Sequence, residues 1–207
     1  MKKISVAIVE DDPVWLSSLK TFLDNEEDLC VVATASTQKD AVEMAKNNDV
    51  DIILMDINLS ENNMDGVYAA AEISQTKNVK IIMLTSIESE EVIRNSFTAG
   101  AVNYVLKSNY MDIPAAIRAV HNKVSPVEIL LKDYSRMKEE EQVAALSNAE
   151  KEILNLVQQG YSQSKISEVL FKSPGTIKAQ INKLLKKMDV TNCKQAIKKI
   201  NSKGILK

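Results

Sequence analysis

Residues 52–58 read Ile-Ile-Leu-Met-Asp-Ile-Asn, four large apolar side chains in a row closed by the carboxylate of Asp56. A continuous apolar run of strand length implies a strand buried on both faces. Similar runs occur at 4–9, 29–33, 79–84 and 102–106. Between them apolar residues recur at helical spacing: Val14, Leu16, Leu19, Phe22 and Leu23, then Ala41, Val42, Met44 and Ala45, then Val92, Ile93, Phe97 and Ala101. Parallel strands need crossovers, so five strands alternating with helices predict an open, doubly wound α/β sheet covered on both sides.

Polar residues follow each run. Glu10-Asp11-Asp12 comes after the first, Asp56 after the third, Thr85-Ser86 after the fourth and Lys107-Ser108 after the fifth. In doubly wound sheets the ligand crevice lies beyond the carboxyl ends of the strands, at the point where strand order reverses. Several carboxylates in one crevice repel each other unless a divalent cation joins them, and oxygen ligands favour Mg²⁺ or Mn²⁺. A hydroxyl and a lysine beside them form an anion-binding set suited to a phosphoryl group.

Composition narrows the classes further. The 207 residues suit one large or two small domains at about 150 residues per domain. The hydrophobic share of 45% and charged share of 26% are those of a folded globular chain. No apolar run reaches membrane-span length, and 4–9 is too short for a signal segment, so a cytoplasmic protein with no membrane partner is expected. Cys30 and Cys193 are isolated and His121 is the sole histidine, which excludes zinc clusters and Ser-His-Asp or Cys-His catalysis. The net charge of −2 conceals a division: residues 1–145 carry 14 Lys+Arg against 24 Asp+Glu, whereas 146–207 carry 12 against 4. A basic block behind an acidic one is the asymmetry of a chain in which one part seeks a polyanion.

The basic block reads as four short helices without strands. Ser147-Asn148-Ala149-Glu150 is a capping box that opens a helix stopping at Gly160. A second helix starts near Ser162 and carries Ile166, Val169 and Leu170; Ser173-Pro174 opens a third with Ile177, Ile181, Leu184, Leu185 and Met188; Thr191-Asn192 opens a fourth with Ala196, Ile197 and Ile200. At about 100° per residue, Gly175, Ala179, Asn182, Lys183 and Lys186 lie opposite the apolar stripe of the third helix, with Thr176 and Lys178 on its flanks. Small, amide and cationic residues there suit a DNA major groove, although a solvated lysine face gives the same pattern. Before the block, Ser125-Pro126 opens a connector with Val127, Leu130, Leu131, Tyr134 and Met137 at helical spacing, read as a helical spacer or a pairing surface between two copies.

At Glu10, Asp11, Asp56, Thr85 and Lys107, over 4–124, the chain resembles a response-regulator receiver domain, which implies a flavodoxin-like fold. The resemblance makes Asp56 the phosphoacceptor, Asp11 a direct Mg²⁺ (or Mn²⁺) ligand with Glu10 acting mostly through water, and the Asn58 carbonyl a further ligand. It has Thr85 and Lys107 bind phosphoryl oxygens, and Tyr104 act as the aromatic switch that restructures the face formed by 79–84, 88–100 and 102–106. Leu146-Ser147, Glu150, Gly160-Tyr161-Ser162, Lys165-Ile166-Ser167, Ser173, Thr176-Ile177-Lys178 and Leu184-Leu185-Lys186-Lys187-Met188 resemble the LuxR-type four-helix helix-turn-helix. By that likeness Lys178, Ala179 and Asn182 face bases, Ser173, Thr176, Lys183 and Lys186 lie near the DNA backbone, and 192–200 is a dimerisation helix.

The whole resembles a NarL-type response regulator: a receiver (1–124), a helical linker (125–145) and an all-α DNA-binding domain (146–207). This implies a transcription regulator of a two-component system, phosphorylated on Asp56 by a sensor histidine kinase, homodimeric when phosphorylated and bound to double-stranded DNA. It would be no enzyme beyond its own phosphotransfer and slow autodephosphorylation.

Departures from the family pattern are local. The loop 56–66 is about two residues longer than the common form and lacks its proline; Asp12 stands where histidine is frequent and reads as a helix cap before Pro13. Ser108 replaces a proline, Gln180 a histidine, Lys183 an asparagine and Cys193 an arginine. Lys172 stands where the turn often has an aliphatic residue, with Phe171 expected to supply that apolar contact. Two rival classes remain: a phosphatase with an aspartyl-phosphate intermediate, whose first strand should end in Asp-x-Asp rather than Glu10-Asp11-Asp12-Pro13, and an interaction protein active without phosphorylation.

Overall fold

The computed structural model describes residues 3–60, 64–86, 89–122 and 126–201. The chain divides into two compact units, Met1–Ser135 and Arg136–Lys207. The first holds β1 (Ile4–Val9), α1 (Pro13–Asp24), β2 (Leu29–Ala35), α2 (Gln38–Asn47), β3 (Ile52–Asp56), α3 (Asp65–Thr76), β4 (Lys80–Thr85), α4 (Glu90–Ala99), β5 (Asn103–Leu106) and α5 (Ile113–Asn122). A 3-10 turn, Lys107–Asp112, joins β5 to α5. All strand pairs are parallel in the order β2-β1-β3-β4-β5. β3 occupies the centre, and Ile52, Ile53, Leu54 and Met55 are fully buried, as an apolar run flanked by helices on both faces requires.

Local chemistry sets the helix ends. Asp12 caps α1, its Oδ1 accepting from Val14 N at 2.8 Å and Trp15 N at 3.2 Å ahead of Pro13 at the first helical position. Gly100 closes α4 in the left-handed conformation at φ 106°. Leu19 and Leu23 bury the inner face of α1, whereas Val14 of the sequence stripe stands out in solvent. On α4 the buried residues are Ser96, Thr98 and Ala99, and the apolar Val92, Ile93 and Phe97 are only half-buried. Ser96 and Thr98 are tolerated there because each hydroxyl donates to a carbonyl four residues back, Val92 at 2.8 Å and Arg94 at 2.9 Å.

α6 (Pro126–Val143) contains the boundary between the units. Among its apolar residues Val127, Leu130 and Met137 are exposed. The second unit adds α7 (Asn148–Gln158), α8 (Gln163–Val169), α9 (Pro174–Lys187) and α10 (Cys193–Asn201). Ile153, Ile166, Ile177 and Ile181 form one core cluster, and Leu146, Leu154, Leu184, Met188, Ala196 and Ile200 the other.

Two apolar residues of the sequence reading lie outside that core. Val169 is exposed, and Phe171 is 96% exposed at φ 51° in the turn between α8 and α9. The left-handed turn directs the Phe171 side chain outward, so it cannot supply the contact expected of it. Instead Lys172 Nζ donates to Gln180 Oε1 at 3.3 Å, and two departures from the family pattern satisfy each other.

The capping box of α7 also ties it to α9. Buried Glu150 accepts from Ser147 N at 2.7 Å, Ser147 Oγ at 2.9 Å and Lys187 Nζ at 2.6 Å. Lys187, together with the Ser147 N–H, lowers the Glu150 carboxyl to about 2. A carboxylate whose pKa falls on folding stabilises the fold above its ordinary value, and that contribution is lost as pH drops from about 4.5 to about 2. Glu150→Gln is expected to cost about 1.5–3 kcal/mol at pH 7, the scale of a hydrogen bond to a charged group. The difference from the parent chain, measured by denaturant unfolding, should shrink towards zero as pH falls through that window.

Candidate functional site

Parallel pairing sets Val9 beside Met55, Asp56 beside Leu84 and Thr85 beside Leu106, so β1, β3, β4 and β5 all end at one edge of the sheet. Strand order reverses between β1 and β3, the place where such sheets hold ligands. Glu10, Asp56 and Thr85 are buried there. The Lys107 ammonium reaches across and donates to Glu10 Oε1 and Asp56 Oδ2, each at 2.9 Å. Carboxylate oxygens of Glu10, Asp11 and Asp56 lie within 4.8 Å of one another. Asp12, adjacent in sequence, is occupied as the α1 cap.

The charges in this crevice are under tension. Burial, assisted by repulsion from Asp56, pushes the Glu10 carboxyl up to about 7, although Lys107 pulls against it. Burial raises Asp56 too, opposed by Lys107 and by backbone hydrogen bonds from Asn58 and Ile57. For Lys107, burial acts downward but is outweighed by its two carboxylate partners, and the net shift is upward. One ammonium thus balances a cluster of three acids.

The donor set fits a divalent cation. Asn58 Oδ1 is buried without a hydrogen-bond partner among the described residues. Glu10 Oε2 is buried as well; it lies 2.7 Å from Lys107 Nζ but outside hydrogen-bonding geometry. Clustered carboxylates, with a buried oxygen lacking a donor two residues beyond Asp56, are the kind of donor set a hard cation satisfies.

Tyr104 is half-buried on β5 opposite Met83 and lines a shallow groove of about 840 Å³ with Ile93, Asn103 and Ala116. Residues 61–63 of the long loop, and Glu88 of the expected switch face, lie outside the described residues.

In the second unit Ser173, the cap of α9, and Thr176, Lys178, Ala179, Asn182, Lys183 and Lys186 on the helix are exposed; Ala179, Asn182, Lys183 and Lys186 lie opposite the buried Ile177, Ile181 and Leu184, and Thr176 and Lys178 flank them. Ser173 Oγ caps the helix by accepting from Thr176 N at 3.1 Å, and the two hydroxyls meet at 2.9 Å.

Two family models match the chain: the response regulator receiver domain over residues 6–118 and the luxR family of bacterial regulatory proteins over 144–200. The response regulator protein VraR of Staphylococcus saprophyticus is 34% identical over 200 residues, with 94% of each chain covered. The chain belongs to the response-regulator family.

The transcriptional regulatory protein DesR of Bacillus subtilis is 32% identical over 207 residues, covering 99% of this chain and 100% of the other. The fold also matches RcsB of Salmonella enterica serovar Typhimurium bound to promoter P1flhDC with a phosphomimetic. That match has a TM-score of 0.51 at 22% identity and covers 97% of this chain and 100% of that one. The protein is therefore a transcriptional response regulator, a receiver joined to a LuxR-type helix-turn-helix DNA-binding domain, and not an enzyme in the ordinary sense. No helix among the described residues is long and apolar enough to cross a membrane.

Sequence reasoning passed over Gly66. Its N–H donates to Ile57 O at 3.0 Å, and a Cβ there would lie 1.7 Å from the Asp56 carbonyl oxygen. Only glycine lets α3 start against the backbone of the acidic residue, and the scarcity of glycine was the available signal, since Gly66 and Gly100 are the only two before residue 145. Gly66→Ala must displace the Asp56 backbone. The expected cost is about 1–3 kcal/mol, the usual range for overpacking, with at least about tenfold slower phosphorylation if the carboxylate moves by about 1 Å. Thermal unfolding and intact-mass time courses check both, and a variant equal to its parent in both would refute the close approach.

Proposed function

We propose that this response regulator accepts a phosphoryl group on Asp56 from a histidine kinase and that the phosphorylated form pairs and binds DNA through α9. The observation that carries the reading is the convergence of Glu10, Asp11, Asp56, Thr85 and Lys107 at the switch-point edge, with Lys107 held against Asp56 at 2.9 Å. Asp56 must be anionic to attack phosphorus, and Lys107 opposes the burial that would protonate it. An Asp56 oxygen forms the new P–O bond as the P–N bond of phosphohistidine breaks, and the imidazole leaves with the electron pair. Glu10, Asp11, Asp56 and Asn58 would hold Mg²⁺ or Mn²⁺, which when bound neutralises charge on the phosphoryl oxygens.

Lys107 and Thr85 bind those oxygens in the product. Movement of Thr85 frees space for Tyr104 to turn inward, which couples phosphorylation to the β4-α4-β5 face. Slow hydrolysis of the acyl phosphate resets the switch.

On α9, Lys178, Ala179 and Asn182 face bases, and Ser173, Thr176, Lys183 and Lys186 meet phosphates. The family supports DNA as partner, and α10 is the surface by which two copies pair. The division of labour follows 1–124, 125–145 and 146–207, in a cytoplasmic protein.

Incubation with Mg²⁺ and phosphoramidate should add about 80 Da, one phosphoryl group, to the native chain but not to Asp56→Ala. Light scattering should then report dimers. Gel shifts should show tighter DNA binding by the phosphorylated form. They should also show steep weakening with salt and loss in Lys178→Ala/Lys186→Ala. An unchanged mass would favour a regulator that works unphosphorylated, and undiminished binding by the double mutant would refute the assignment of α9.

A further inference from the structure

The sole tryptophan of the chain, Trp15, stands beside the phosphoacceptor site, where neither the charged cluster nor the helix-turn-helix accounts for it. The Asp12 cap fixes its place on α1: Asp12 Oδ1 accepts from the backbone N–H of Trp15 at 3.2 Å, which sets the helix start two residues beyond Asp11. The indole is half-buried against the core under α1, and its ring centroid lies 5.4 Å from Lys107 Nζ, within cation–π range. The ammonium that bridges Glu10 and Asp56 therefore has an aromatic ring as a third neighbour. α1 grips the same segment a second time, for Tyr110, in the 3-10 turn that Lys107 begins, packs edge-on against Phe22 at 5.5 Å.

We infer that Trp15 is a positioning residue for Lys107, holding the ammonium over Asp56 so that it meets the phosphoryl oxygens without a search. Lysine carries a flexible four-carbon stem, and a single ammonium shared by two carboxylates can settle on either one. A ring on a further side narrows those positions and excludes water, which strengthens the pairing with Asp56. Transfer of a phosphoryl group to Asp56 gives Lys107 new acceptor oxygens, so its distance from the indole changes and the emission of Trp15 reports the event. The inference rests on the phosphotransfer reading, and resting fluorescence tests the pair independently of it.

Three variants of the full chain decide the matter: Trp15→Phe, Trp15→Leu and Lys107→Met. Before any phosphodonor is added, Lys107→Met should change the Trp15 emission relative to the native protein, because the nearby cation is gone. With Mg²⁺ and phosphoramidate, emission of the native protein should change with the same time course as the intact mass. Trp15→Leu should be phosphorylated about tenfold more slowly, whereas Trp15→Phe, which keeps an aromatic ring, should stay within about twofold of native. Both should unfold at similar temperatures. Identical resting emission in the native and Lys107→Met proteins would overturn the pairing. Equal rates in Trp15→Leu and Trp15→Phe would overturn the positioning role, whether both match the native rate or both fall with stability. If the mass of the native chain never changes but its resting emission depends on Lys107, the phosphotransfer reading fails and the pairing stands.

Discussion

Lys107 reaches from the end of β5 to Glu10 at the end of β1 and Asp56 at the end of β3, and the site depends on that reach. Two carboxylates buried a few ångströms apart are costly unless a counter-charge and hydrogen bonds accompany them. The sheet meets the requirement by geometry: a parallel order of β2-β1-β3-β4-β5 brings the carboxyl ends of β1, β3 and β5 to one edge, and Lys107 spans them. The balance is left incomplete, with three acids against one ammonium and the buried Asn58 Oδ1 without a hydrogen-bond partner among the described residues. A site electrostatically unfinished in this way is prepared for a cation and an incoming anionic group together.

The helices around the site are placed by backbone chemistry rather than by apolar contact alone. Asp12 starts α1 where Trp15 meets Lys107, and Gly66 lets α3 begin against the Asp56 carbonyl. Both adjoin the functional side chains, so the elements that close the fold also aim the chemistry. In the DNA-binding domain Glu150 plays the corresponding part, joining the α7 cap to Lys187 near the end of α9 and so supporting the helix whose opposite face is exposed.

Much of this was readable from residue order. The five apolar runs appear as β1 to β5, β1 unshifted and the others with an end moved by one or two residues; at β3 and β4 backbone pairing extends into the polar residue that follows the run, Asp56 and Thr85. Helix starts at Asp12, Ser147, Ser162 and Ser173 were legible because caps act locally. Val14, Val169 and Phe171 read as core but are exposed, since periodicity identifies a face but not where a neighbouring element stops covering it. The buried Ser96 and Thr98 of α4 escape a sequence reading for the complementary reason: hydroxyls that donate to their own helix can be buried as if apolar.

By itself the sequence determined the alternation of strands and helices, the residue types at each strand end and the basic, small-residue face of α9, all of which follow from local propensity and periodicity. Tertiary structure alone decided which acids share a cation-sized space, that Lys172 is answered by Gln180 and that Trp15 borders Lys107. Those facts join residues far apart in the chain or depend on the path of a single turn, and only the packed chain brings such groups within the few ångströms over which charge, hydrogen bonding and ring polarity act.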